Sequence, residues 1–260
     1  MRNLTARWPL GLCDKNCADF TVRLGFVLFI LVFFDVFVSY TLQELPAMWR
    51  APFEFVTGFG LAEWALIPCL VALVLSFGGR FLAPAGLWRR ASVQLLQLSS
   101  FIFLAIGATG LLTNLLKRLI GRARPLEFAH TGVFNFHAVF NEWNFQSFPS
   151  GHTTTAMATA FVVGFVAPRF FKLTLLIALT TGISRVVIGM HYPTDIIAGF
   201  VIGTLGAYLV RNIYAHHDVL FFENADGTII FKGVPDLALA CRKALSALWR
   251  IAPMRRTGRP

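Results

Sequence analysis

The sequence predicts an all-α membrane protein: a polytopic bundle of six transmembrane helices with a small C-terminal tail made of a hairpin and a helix. Three observations carry that reading. Of 260 residues, 56% are hydrophobic and only 14% are charged, whereas soluble domains carry about 25% charge. Mean hydropathy is +0.66. The apolar residues gather into six segments, each about long enough to cross a hydrocarbon core. The same composition excludes a disordered chain, which needs low hydrophobicity. The 4 cysteines are too few for a disulfide-scaffolded secreted domain.

Taken in order, residues 1–24 are mixed and polar, with Arg2, Arg7, Lys15 and Arg23. They lack the short apolar core and small-residue cleavage site of a removable signal, and Trp8 to Phe20 reads as an aromatic, amphipathic surface segment. The expected spans are Leu24–Leu42, Phe55–Phe77, Ser92–Leu116, His152–Ala167, Leu173–Met190 and Thr194–Ile213. The fourth is short and begins polar, which predicts that its N-terminus opens into a water-accessible cavity. An even number of spans puts both termini on one side. With the termini inside, all of the 23 Lys and Arg fall inside except Arg50, Lys117, Arg118, Arg122, Arg124 and Arg185. That bias predicts cytoplasmic termini in a bacterial inner (plasma) membrane. It also accounts for a net charge of +10 through the bilayer and phosphate-bearing ligands, with no nucleic acid partner. No feature sets an oligomeric state.

The chain divides into a transmembrane domain, residues 1–215, and a basic cytoplasmic tail, residues 216–260. In the tail, Val219–Phe222 and Thr228–Phe231 flank Asn224-Ala-Asp-Gly227, the pattern of a hairpin with a glycine-assisted turn. Leu237–Trp249 has helical periodicity, with Arg242 and Lys243 inside it and Arg250 just after, as in a basic helix on the inner leaflet.

Three stretches on the expected outer side carry chemistry. Lys117 and Arg124 are seven apart, one face of a continuing helix that Pro125 would end near Arg124. Pro149-Ser150-Gly151-His152 opens the fourth span: Ser150 suits an N-cap, Gly151 admits an anion to the backbone, and the helix N-terminus attracts it. Ser184-Arg185 precedes His191-Tyr-Pro-Thr-Asp195, where the carboxylate lies within one turn of the imidazole and would fix its tautomer. Arg185 is a bidentate oxyanion ligand by type. Two histidines, three cations, a helix N-terminus and a carboxylate meet the needs of phosphoryl transfer: neutralise the oxygens, attack in line, protonate the leaving group.

The pattern Lys117-x6-Arg124-Pro125, Pro149-Ser150-Gly151-His152 and Ser184-Arg185-x5-His191-x3-Asp195 resembles the three-part signature of the type 2 phosphatidic acid phosphatase superfamily, which includes lipid phosphatases and vanadium haloperoxidases. Every signature residue is present in order. The resemblance implies that His191 attacks phosphorus and forms a phosphohistidine, with Asp195 orienting it. His152 would protonate the leaving group and then activate water. Lys117, Arg124, Arg185, Ser150 and Gly151 would hold the phosphate, supported by Pro125, Pro149 and Ser184. It implies no cofactor and no metal. The substrate would be a membrane lipid phosphate monoester or pyrophosphate, entering sideways at the outer leaflet. Candidates are undecaprenyl pyrophosphate, phosphatidylglycerol phosphate, phosphatidic acid and lipid A phosphates. Phosphotransfer to another lipid through the same intermediate, and a silent scaffold or transporter, are the alternatives.

The remaining features have plainer readings. Arg118 and Arg122 read as solvated interfacial cations. Asp35, inside the first span where charge is costly, reads as a buried, partnered or protonated group, and Glu63 reads similarly. The aromatic insert Leu126–Phe148 reads either as a membrane-dipping lid or as an interfacial belt. Within it, His130 and His137 lack a metal-ligand pattern. Cys13, Cys17, Cys69 and Cys241 read as free thiols.

Overall fold

Asn16 launches the first long helix by closing the turn before it: its side chain accepts from the Cys13 N–H at 2.7 Å and donates to the Gly11 carbonyl at 3.0 Å. The structure, a computed structural model, describes residues 2–13, 15–127, 136–138 and 142–251. A short helix α1 (Arg2–Thr5) precedes this turn and α2 (Cys17–Gln43) follows it. At 1.5 Å per residue α2 runs about 40 Å. Phe26, Phe33 and Phe37 lie exposed along it, while Asp35 and Ser39 are buried. A helix that exposes phenylalanine and hides a carboxylate is built for lipid outside and protein inside.

Next come α3 (Ala47–Val56), a 3-10 turn at Thr57–Gly60, α4 (Glu63–Leu82), α5 (Leu87–Ile120), α6 (Gly151–Val166), α7 (Phe171–Val187) and α8 (Pro193–His216). The expected second span, Phe55–Phe77, is displaced. The Thr57–Gly60 turn interrupts it, so α4 begins only at Glu63, which sits exposed in the first turn. Among the described residues, five stretches are long and apolar enough to cross a membrane: Cys17–Gln43, Ala47–Leu82, Leu87–Ile120, Pro168–Val187 and Pro193–His216. The expected fourth span forms α6, whose 16 residues reach about 24 Å, short of a hydrocarbon core of about 30 Å. α6 packs against α5, α7 and α8. Thr153 through Ala158 are buried along it, so it is the centre of the bundle.

α5 stops earlier than the sequence suggests. Gly121 adopts a left-handed φ of 65° and returns its N–H to the Lys117 carbonyl at 2.9 Å, a glycine C-terminal stop. A side chain there would collide with the backbone of His137, whose N–H donates to the Gly121 carbonyl at 2.8 Å. The expectation that Lys117 and Arg124 share one helix face is therefore corrected. Lys117 ends a helix, and Arg124 arrives on a non-helical segment, Arg122–Arg124.

The end of the bundle opposite this break has its own core. Phe101, Phe165, Tyr208 and Phe221 are buried together there. Phe221 belongs to a hairpin of β1 (Phe221–Glu223) and β2 (Ile229–Phe231), with Phe221 opposite Phe231 and Gly227 at φ 76° in the turn. Its ring lies 4.9 Å from Phe101. The final helix α9 (Pro235–Ile251) docks on α5 through an Arg90–Asp236 pair at 3.2 Å and a Leu237 N–H bond to Gln94 at 2.9 Å. Arg211, buried in α8, donates to the Leu4, Ala6 and Arg7 carbonyls at 2.6 to 2.9 Å and lies over the rings of Phe165 and Tyr208. It gathers the N-terminal segment onto this core.

Truncating Phe221 removes a buried ring from that core. Phe221→Ala is expected to lower stability by about 3 kcal/mol, read by denaturant unfolding in detergent. A change under about 0.5 kcal/mol would mean that the hairpin is dispensable to the bundle.

Candidate active site

Four helix termini converge at one end: the C-termini of α5 and α7 and the N-termini of α6 and α8. The sequence places a chemically loaded residue at each. Lys117 lies in the last turn of α5, Arg185 in the last turn of α7, His152 at the second residue of α6 and Asp195 in the first turn of α8. The loop after α5 threads between them. Arg122, Ala123, Arg124 and Pro125 are all buried. The Arg124 N–H donates to the Asn144 carbonyl at 2.8 Å and the Ser147 N–H donates to the Arg122 carbonyl at 3.0 Å, which zips this segment to residues 144–147.

His191 is almost completely enclosed, at 1% exposure. Its backbone N–H and that of Met190 both donate to the Arg185 carbonyl, at 3.2 and 3.0 Å, so the α7 C-terminus fixes the start of the loop. The ring nitrogen Nδ1 lies 2.7 Å from the Ser147 carbonyl. A carbonyl only accepts, so Nδ1 carries the proton and Nε2 keeps its lone pair. Burial pushes the imidazole down to about 3, with Lys117 and Arg185 adding to the push and Asp195 opposing it. The ring is therefore neutral near pH 7, the form a nucleophile needs.

Asp195 was expected to hold that ring nitrogen directly. Its Oδ2 is 3.5 Å from Nδ1, farther than the Ser147 carbonyl. The carboxylate is occupied elsewhere: Oδ2 accepts from the Ser147 hydroxyl at 2.5 Å and the Tyr192 N–H at 2.9 Å, and Oδ1 accepts from Arg122 at 2.7 Å. Asp195 thus orients the histidine through Ser147, and it closes a capping box on α8 as well.

Arg122, read from sequence as a solvated cation, is instead buried between two carboxylates: Asp195 at 2.7 Å and Asp35 at 2.8 Å. Its guanidinium also covers the Tyr192 ring at 4.2 Å. The two carboxylates raise its affinity for its proton against the cost of burial. Asp35 accepts from both the N–H and the hydroxyl of Thr194, at 3.0 and 2.5 Å. Arg118 is exposed, as expected.

The phosphate-binding candidates make a different set of contacts. Arg124 donates to the Trp143 carbonyl at 3.0 Å and stacks 4.0 Å over the Trp143 ring. Burial lowers it to about 10, still a cation. Arg185 donates to Thr57 at 2.9 Å, and its Nε is buried with no acceptor among the described residues, a donor that an oxyanion would satisfy. A Cβ added to Gly151 would come 3.3 Å from the Lys117 ammonium, so that cation lies over the N-terminus of α6. Lys117, Arg124 and Arg185 all act electrostatically on His152.

The supporting residues are more locally engaged. The Ser150 hydroxyl accepts from Thr153 at 2.8 Å and makes no side-chain cap to α6. Ser184 donates to the Thr181 carbonyl at 2.6 Å within its own helix. Pro149 follows a cis peptide and Pro125 opens a 3-10 turn.

Much of the aromatic insert, including Phe128, His130, Phe134 and Phe140, lies outside the described residues. Of its described residues, Trp143 serves Arg124, and His137 stacks on Phe145 at 4.2 Å. Cys13, Cys17, Cys69 and Cys241 are free thiols. Among the described residues no three His, Cys, Asp or Glu side chains cluster as for a metal ion.

Comparison with known proteins gives one family. The model described as "PAP2 superfamily" matches residues 99–217, the stretch that contains every residue of this site except Asp35 and Thr57. A lipid A 1-phosphatase of Rhizobium etli is 35% identical over 75% of this chain and 84% of its own length, and one of Rhizobium johnstonii is 34% identical over 79% and 84%. The crystal structure of a transmembrane PAP2 type phosphatidylglycerolphosphate phosphatase from Bacillus subtilis aligns at TM-score 0.49 and 22% identity, over 74% of this chain and 94% of that one. With a relative matched over so much of both chains, and the family's signature gathered at one end of the bundle, the chain belongs to the PAP2 superfamily.

Proposed function

We propose that this protein hydrolyses a lipid phosphate through a covalent phosphohistidine. The chain is a multi-pass membrane lipid phosphatase of the PAP2 type. The observation that carries the reaction is the geometry at His191. Ser147 holds the proton on Nδ1, which leaves Nε2 free to attack phosphorus. Lys117, Arg124 and Arg185 neutralise the phosphoryl oxygens, and the N–H groups that open α6 point at the same charge. The P–O bond to the lipid breaks as the N–P bond forms. With a bound phosphate offsetting the three cations so that the imidazole is protonated, His152 gives its proton to the departing oxygen, then takes one from the water that attacks the phosphohistidine and returns inorganic phosphate.

A lipid is favoured by what lies beside His152. An apolar cavity of about 550 Å³ runs along the α6 face of Ala156, Thr159 and Ala160, walled by Phe59, Trp64 and Ile177. Positions 152, 156, 159 and 160 share one face of a helix. A phosphate at His152 thus has space for its tail one to two turns deeper in the bilayer. Among the candidate headgroups, the 1-phosphate of a lipid A comes first, supported by the two Rhizobium relatives.

The site faces outward. Arg80, Arg89, Arg90, Arg169 and Lys172 lie at the helix ends opposite the site, and such a basic rim stays cytoplasmic. On this reading both termini are cytoplasmic and the membrane is the bacterial inner one.

Phosphate release from lipid phosphates by the purified chain is expected to survive EDTA, because the neutralising charges are side chains. His191→Ala should lower kcat by about 1,000-fold or more, and His152→Ala by about 100-fold or more. Rapid quenching with radiolabelled lipid phosphate should trap an acid-labile, base-stable phosphoryl group on the wild type and none on His191→Ala. Full loss with EDTA, or an unchanged label in the variant, would reject the mechanism.

Ala65→Phe would narrow the apolar cavity from its partly exposed wall. KM for a long-chain lipid phosphate should rise about tenfold, the equivalent of about 1.4 kcal/mol, while turnover of a short-chain phosphate ester stays the same. Equal effects on both would show that the cavity does not hold the tail.

A further inference from the structure

We infer that Arg122 and Asp35 are positioning residues that set the attacking histidine, an inference that rests on His191 being the nucleophile. Neither belongs to the signature pattern. Asp35 lies in α2, fully buried in a helix that faces lipid on its other side. Arg122 spans the gap between that helix and the site. One guanidinium nitrogen donates to Asp35 Oδ2 at 2.8 Å, the other to Asp195 Oδ1 at 2.7 Å and to the Thr194 hydroxyl at 2.8 Å. The Thr194 hydroxyl and N–H both donate to Asp35, so the first turn of α8 is tied to α2. The Tyr192 ring lies under the guanidinium, 4.2 Å from its carbon.

From Asp195 the chain of contacts continues to the chemistry. Oδ2 receives the Ser147 hydroxyl, and the Ser147 carbonyl receives the His191 Nδ1–H. Arg122 is therefore two residues removed from the ring that attacks. A planar fork bonded to two carboxylates has little freedom to rotate, and it fixes the plane of the Asp195 carboxylate. Without it, Asp195 is free to turn toward the nearby phosphate-binding cations, and Ser147 follows. Displacement of about 1 Å at a reacting group costs about 100-fold in rate. Arg124 and Arg185 of the phosphate cradle donate to Trp143 and Thr57 rather than to Asp195, Ser147 or Asp35, so binding should persist when alignment is lost.

The test uses the full-length chain in detergent, a lipid phosphate substrate, EDTA throughout, and vanadate as the phosphate mimic. Arg122→Met should lower kcat about 100-fold and Asp35→Asn about tenfold, with KM and vanadate inhibition within threefold of wild type. Arg122→Lys, which keeps the charge and loses the fork, should recover only part of the rate. The double variant Asp35→Asn/Arg122→Met removes the Asp35–Arg122 ion pair and leaves Asp195 without its guanidinium. It should melt above Arg122→Met yet remain as slow as Arg122→Met.

Recovery of kcat in the double variant would show a purely structural pair and overturn the inference. So would an Arg122→Met protein within threefold of wild type, or one whose KM and vanadate inhibition shift as much as kcat. If Arg122→Met does not fold, the same split of kcat from KM in Asp35→Asn decides the matter. A wild type that hydrolyses no lipid phosphate overturns the phosphatase reading and this inference together. An active wild type, abolished by His191→Ala but untouched by Asp35→Asn, overturns the inference alone.

Discussion

The site depends on one fully buried carboxylate, Asp195, and on how its two oxygens are shared. Taking an ionised carboxylate out of water costs several kcal/mol unless nearly every lone pair is met. Here Oδ1 meets a guanidinium, and Oδ2 meets a hydroxyl and a backbone N–H. Each of those donors comes from a different piece of chain: the loop after α5, the segment before α6, and the turn into α8. Satisfying Asp195 therefore brings those pieces together, and the Ser150 N–H adds a further tie by donating to the Asp195 carbonyl at 3.0 Å. The position of His191, between two of these anchors, is a consequence.

That dependence explains which parts of the molecule were legible in the sequence. Helical class, hairpin and candidate residues follow from short-range signals: apolar runs, the Asn224–Gly227 turn, and motifs whose residue types are chemically loaded. Boundaries were less legible where glycine overrides hydrophobicity. Phe55 and Phe59 look like span residues, yet the glycine-containing 3-10 turn Thr57–Gly60 breaks the helix there. Arg122 and Arg124 look like helix residues, yet Gly121 has already ended α5.

The misread residues share a physical cause. Arg122 is separated from Asp35 by 87 positions and from Asp195 by 73. Nothing local distinguishes a buried bridging arginine from the exposed Arg118 four residues earlier. The available signal was a mismatch: Asp35 is an acid inside a lipid-facing helix, which demands a partner, and the loop before Pro125 has more arginines than a phosphate needs. Ser147 carried no signal at all, because its decisive group for His191 is a backbone carbonyl. The expected Asp195–His191 pairing is present at 3.5 Å, with the Ser147 carbonyl as the nearer acceptor for the ring.

Helix polarity explains why so many cations tolerate one another before any phosphate arrives. Lys117 and Arg185 occupy the last turns of α5 and α7, where the carbonyl ends of the helices carry partial negative charge. Asp195 occupies the first turn of α8, where the charge is partially positive. Each charged side chain is thus partly compensated by the helix that bears it. Only α6 has its positive end in the site with no acid in its first turn. Its opening residues, Gly151 and His152, are the place where an incoming anion completes the pattern, and Lys117 lies over them. The preference for a phosphate at that point is thus set by the directions in which four helices run, and the signature residues sharpen a field that the backbone already provides.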